Sequence, residues 1–223
     1  MPDRLLFADA DSATDAATFA RRASRLGEDA VRLQASDGVL AMTVAALAPR
    51  GLGDPTPTVL GMRALAVDPE LLCDVVVTAS ALAVDPADAS ALVLPATALT
   101  PAWAGIAPPR AGWTAADGVD ASTLAAKARA GVAAVAQQVP TDAGEDVVRT
   151  VRAAVWAPPD PQLGDLPLGI AFAAFALGFI SGAETAQVFR SGPWTRVSLQ
   201  RGHVLVRGPL ASGLTAVRAT GPR

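Results

Sequence analysis

The sequence predicts an α+β protein with an N-terminal antiparallel sheet and one flanking helix, a central helical layer that includes one buried apolar helix, and a C-terminal β-hairpin packed back onto the body. Three observations carry this expectation. Apolar and polar residues alternate through 30–47 around a turn dipeptide, helical spacing dominates 121–180, and short alternating stretches return from 185 onward. With 223 residues and 51% apolar content, the chain can bury one core without disulfides, and residues 1–223 read as a single compact domain.

Taken in order, Arg4 to Ala8 reads as a short strand. The helix after it places Ala16, Phe19, Ala20, Ala23 and Leu26 at helical spacing, with Gly27 as its stop. Ser12 and Asp15 have the spacing of a capping box. Asp37-Gly38 then supplies the positive φ of a tight hairpin turn between two alternating strands. Past the proline- and glycine-rich loop 49–58, strands are expected at 58–67 and 74–83. The proline-rich stretch 95–118 reads as an ordered irregular crossing pinned by Trp103 and Trp113, and it is the natural place for a subdomain boundary.

Helices are expected at 121–139 and 142–157, the second capped by Thr141-Asp142 and presenting Val147, Val148, Val151 and Val155 on one face. The run 168–180 is apolar on all sides and reads as a core helix closed by Gly182. Strands at 185–190, 194–200 and 203–207, with a weaker candidate at 214–218, complete the chain.

Arginine outnumbers lysine seventeen to one, and neither asparagine nor tyrosine occurs, a GC-rich, bacterial-type composition without functional content. The amino terminus lacks a basic-then-apolar leader, and the one cysteine, Cys73, has no internal partner, so a cytoplasmic protein is expected. Its apolar run 166–180 is interrupted by proline and glycine and is shorter than the roughly 20 residues of a membrane span, so no membrane contact is expected.

The formal charge of −3 is unevenly spread. Residues 1–189 hold 12 of the 18 basic side chains and all 21 acids, whereas 190–223 hold six arginines and no acid. The stretch Arg190 to Gly208 therefore gathers the candidate contact residues: Arg190, Arg196, Arg201, His203 and Arg207. If Arg201-Gly202 forms the turn, Arg196 lies opposite Arg207, and an anion between them would relieve a repulsion of about 0.2–1 kcal/mol. Carboxylates from residues 1–189 are the favoured source of that relief. A small anion or an acidic partner held by paired guanidinium groups is the alternative.

Chemistry-bearing motifs are few. In "LLFADADSAT", Asp9 and Asp11 follow a strand and precede a helix, which resembles the first motif of haloacid-dehalogenase-like phosphatases. The resemblance implies Asp9 as nucleophile, Asp11 as general acid and a magnesium ion nearby. It further implies Thr78 or Ser80 as the phosphate-holding hydroxyl and Lys127 as the balancing cation. Ser12 stands where that motif carries glycine, and the hairpin at 30–47 interrupts the strand-helix alternation such enzymes need. The simpler reading makes Asp11, Ser12 and Asp15 helix N-terminal residues.

One histidine and one cysteine allow no His/Cys zinc site, no nucleophile elbow occurs, and no phosphate-loop signature is present. Nucleic-acid recognition is disfavoured because helix 168–180 has no side chain to offer a base edge, which leaves only weak, sequence-tolerant contact. The leading expectation is a cofactor-free, non-enzymatic interaction or self-associating module. Its partner would be another protein or another copy, and its contact surface the arginine face of 190–208.

Overall fold

A computed structural model describes residues 3–51 and 53–208, so the candidate strand 214–218 lies outside the described residues. In chain order the elements are β1 (Arg4–Leu6), α1 (Ala10–Ala23), β2 (Ala30–Ser36), β3 (Val39–Leu47), β4 (Thr58–Ala66), β5 (Cys73–Thr78), β6 (Ala83–Asp85) and β7 (Asp88–Val93). They continue with β8 (Thr114–Asp120), α2 (Ala121–Gln138), α3 (Glu145–Trp156), β9 (Pro159–Asp160), β10 (Leu166–Pro167), α4 (Gly169–Ala176), β11 (Thr185–Ser191), β12 (Trp194–Leu199) and β13 (Gly202–Arg207). No helix among the described residues is long and apolar enough to cross a membrane.

Eight strands form one antiparallel sheet in the order β5-β2-β3-β4-β13-β12-β11-β8. Two meanders, β2-β3-β4 and β11-β12-β13, meet where β4 pairs with β13. The C-terminal hairpin thus does more than pack on the body: its β13 extends the N-terminal sheet. The α+β class stands as expected.

Local chemistry explains the boundaries. At the β2-β3 turn Asp37 and Gly38 have φ of 53° and 77°, the paired positive values of a tight hairpin turn. Helix α1 begins one residue after Asp9, whose Oδ1 accepts the Ser12 N–H at 2.7 Å. Asp9, rather than Ser12, is the cap, and Asp15 instead pairs with Arg63. The strand expected over 74–83 ends at Thr78, and the chain turns through 79–81 into the β6-β7 hairpin. Strand β7 pairs with β1 in a separate three-stranded sheet.

Helix α4 is shorter than its apolar run suggests. Gly178 takes φ 72°, its N–H donates to Phe175 O at 3.0 Å, and the Phe179 N–H donates to Ala174 O at 2.9 Å. This paired closure puts the stop at Gly178, four residues before Gly182, the stop expected from sequence. Phe179 is thereby turned into the core, where it stacks on Phe19 with centroids 6.1 Å apart.

Helices α1, α2 and α4 cover one face of the sheet, here the inner face, and the main core lies between. Ile170, Ala171, Ala173 and Ala174 of α4 are completely buried, which fulfils the expectation of an apolar helix at the centre. The outer face carries a smaller apolar cluster that includes Leu60, Leu205 and Trp194. Across it runs the proline-rich segment, with Trp103 buried and donating to Glu28 at 2.9 Å and Trp113 donating to Pro109 O at 3.1 Å.

Candidate functional site

The candidate face is built by the β12-β13 hairpin. Pairing runs Trp194 with Arg207, Arg196 with Leu205, Ser198 with His203 and Leu199 with Gly202. The turn is therefore Gln200-Arg201, one residue earlier than the glycine suggested. Gly202 belongs to the strand because the ring of Phe179 fills the place a Cβ would occupy. Arg196 consequently does not oppose Arg207. The two are diagonal neighbours on the outer face, with His203 on the same side.

Other members of the predicted set are elsewhere. Arg190 pairs with Thr195, adjacent to the Phe189–Arg196 pair, so strand alternation sends it to the inner side. Arg201 sits in the turn, where its carbonyl accepts a hydrogen bond from Arg63. The structure thus assembles Arg196, His203 and Arg207, and separates Arg190 and Arg201 from them.

The Arg196 guanidinium lies between the rings of Trp113 and Phe189, 4.7 Å from each centroid. Such stacking offsets part of the desolvation of a cation without a counter-charge. Burial pushes the Arg196 pKa down, and Nε of both Arg196 and Arg207 is buried without a hydrogen-bond partner among the described residues. Five ion pairs occur among the described residues: Arg4–Asp85, Arg32–Asp74, Arg50–Asp146, Arg63–Asp15 and Lys127–Asp160. None involves an arginine of the hairpin, and at Arg196 two aromatic rings stand where a carboxylate of the protein was expected. Trp113 and Phe189 were not foreseen as partners, because they are far apart in the chain and only sheet register brings them to one guanidinium.

His203 Nδ1 lies 2.9 Å from Ser198 Oγ. Burial, then the charges of Arg196 and Arg63, hold its pKa below 6.5. In the unfolded chain the imidazole binds its proton more readily, so this group's contribution to stability is intact above pH 6.5 and is lost as pH falls below it. Thermal unfolding at pH 7.5 and 5.0 should show a smaller acid penalty in His203→Gln than in the native protein. An equal penalty in both would remove His203 as the cause.

Of the two carboxylates of the phosphatase-like motif, Asp9 serves structure and Asp11 lies in the first turn of α1. Asp9 caps α1, and the Ser12 backbone and side chain hold its carboxyl below the usual range. The Ser80 hydroxyl and N–H donate to Asp29, and Lys127 donates to Asp160 at 2.6 Å. With every strand pair antiparallel and no group of three metal-ligating side chains among the described residues, the arrangement implied by that resemblance is not assembled. Cys73 is half-buried, and burial pushes its thiol pKa up, in keeping with a packing role.

Comparison with known proteins adds family boundaries and distant structural likenesses. Residues 1–105 match the family model "Domain of unknown function (DUF8010)", and residues 108–211 match "Domain of unknown function (DUF8185)". No curated protein matches the sequence. Among solved structures, the Caulobacter crescentus pol III beta is similar at TM-score 0.46 and 10% identity, over 99% of this chain and 69% of that one. A putative DNA polymerase III beta subunit from Eubacterium rectale aligns at TM-score 0.48 and 8% identity, over 92% and 64%. The DnaN sliding clamp of Bartonella birtlesii, bound to griselimycin, aligns at 0.44 and 14%, over 93% and 65%. Likenesses of this depth bear on no function. The expectation that nucleic acid is disfavoured as a partner also lacks support: it rested on the run 168–180, whose helix α4 is core, and does not extend to the outer sheet face.

Proposed function

We propose that this protein is an interaction module that receives acidic protein surfaces, including those of a second copy of itself, on the outer face at Arg196, His203 and Arg207. The observation that carries the reading is the Arg196 guanidinium, held against Trp113 and Phe189, with its Nε unpaired and no carboxylate in ion-pair range among the described residues. Stacking fixes the plane of the fork before a ligand arrives, which lowers the ordering cost of binding.

An acidic protein segment suits the patch better than a nucleic-acid backbone. The patch offers two arginines and one histidine, whereas duplex binding usually relies on some 6–10 phosphate contacts. The body before residue 190 carries 21 acids against 12 basic side chains. It would repel a long polyanion and could itself supply the carboxylates for a second copy. The match boundaries at 105 and 108 support placing a subdomain junction within 95–118, in the segment that brings Trp113 to Arg196.

The test is fluorescence anisotropy with a labelled oligo-glutamate peptide and a random single-stranded DNA of equal charge, at low and high salt. Light scattering of the protein alone should accompany it. Arg196→Gln and Arg207→Gln should each weaken peptide binding about tenfold, the equivalent of one charge-assisted hydrogen bond of roughly 1.4 kcal/mol. Unchanged affinity in the double variant removes this face from the reading. Tighter binding of the DNA turns it toward nucleic acid.

A further inference from the structure

We infer that the cleft between α3 and the turn joining α1 to β2 binds a small amphipathic anion, a single carboxylate or phosphate group on an apolar body. The cleft lining includes none of Arg196, His203 and Arg207, and the inference does not depend on the function proposed for them. Its volume of about 610 Å³ lies within the range of small-molecule sites. Leu26, Ala46 and Val148 supply apolar lining, and Arg25, Arg149 and Arg152 supply positive charge.

Two features single the cleft out. Arg149 and Arg152 are three residues apart on α3 and therefore share a helix face, where like charges disfavour each other. Neither they nor Arg25 belong to any of the five ion pairs among the described residues. Two of the three acids that line the cleft are engaged elsewhere: Glu28 accepts from Trp103 at 2.9 Å, and Asp54 accepts from the backbone N–H groups of Arg50 and Thr56 at 2.8 and 2.9 Å. Glu145, at the first turn of α3, makes no ion pair among the described residues.

Arg152 is already set in place. Its guanidinium lies over the Phe172 ring at 5.1 Å, and one of its nitrogens donates to the Leu26 carbonyl. Burial and the neighbouring Arg149 push its pKa down, as for a desolvated cation without a counter-ion. A bound anion would supply that counter-ion, relieve the Arg149–Arg152 repulsion and leave its apolar part against the floor.

Calorimetry and thermal shift on the full chain with octanoate, octyl phosphate and octanol test this. At least one of the two anions should bind and raise the Tm while octanol does not, and which anion binds identifies the head group. Arg149→Gln, which removes no hydrogen bond seen in the structure, should weaken binding about tenfold, with a larger loss in Arg152→Gln. Arg196→Gln should leave it unchanged, which separates this cleft from the outer face. The inference is overturned if neither anion binds, if octanol binds equally well, or if Arg149→Gln with native Tm binds as the native protein does. It is overturned as well if the loss follows Arg196→Gln instead.

Discussion

Trp156→Ala is expected to destabilise the protein by about 4 kcal/mol, in the upper range for loss of a buried aromatic side chain. Trp156 is 2% exposed, although the helix that carries it, α3, is otherwise poorly buried. Its indole stacks on Phe172 of α4 at 4.8 Å and fills a notch at Gly131 of α2, where a Cβ would overlap the ring. One side chain therefore joins three helices. Gly131→Ala should also destabilise, by about 1–3 kcal/mol, despite a helix-propensity gain of roughly 1 kcal/mol. In the Trp156→Ala background that penalty should vanish, because the overlapping ring is gone. Urea unfolding of the two single variants and the double variant reads all three values. A loss below about 1 kcal/mol for Trp156→Ala would contradict the packing described for α3.

Gly202→Ala should cost about 2–3 kcal/mol, at the upper end for overpacking a core. A methyl group there meets the Phe179 ring, which is 1% exposed and held against Phe19, and so has little room to move aside. The result separates two roles for this glycine. Were Gly202 needed for backbone freedom in a turn, its φ would be positive, yet it is absent from the positive-φ glycines. Chemical denaturation of Gly202→Ala, and of Gly202→Ala combined with Phe179→Leu, decides between them. Recovery in the double variant points to the ring, whereas an equal loss in both points to the backbone.

Much of the fold was legible before any coordinates. The Asp37-Gly38 hairpin, the faces of α1 and the buried nature of α4 follow from alternation, helical spacing and apolar content, which act over a few residues. The errors share one cause. From sequence, Gly202 and Gly182 both read as local punctuation, whereas Gly202 makes room for Phe179 and Gly178 closes α4. Strand β7 went unread because its partner is β1, at the opposite end of the first half of the chain. The valine face of α3 was recognised, but that Val147 would stay 45% exposed could not be foreseen from periodicity alone.

The same division holds for the candidate site. By itself the sequence determined a cationic C-terminal stretch and an acidic body, since charge is carried residue by residue and needs no fold. Tertiary structure alone decided that Arg196 is stacked between Trp113 and Phe189 rather than paired with an acid, and that Arg190 is sent to the other side of the sheet. A one-residue shift in the position of a turn changes which side chains are cross-strand neighbours. Here an aromatic ring more than twenty residues away in the chain packs where the strand residue Gly202 has no side chain.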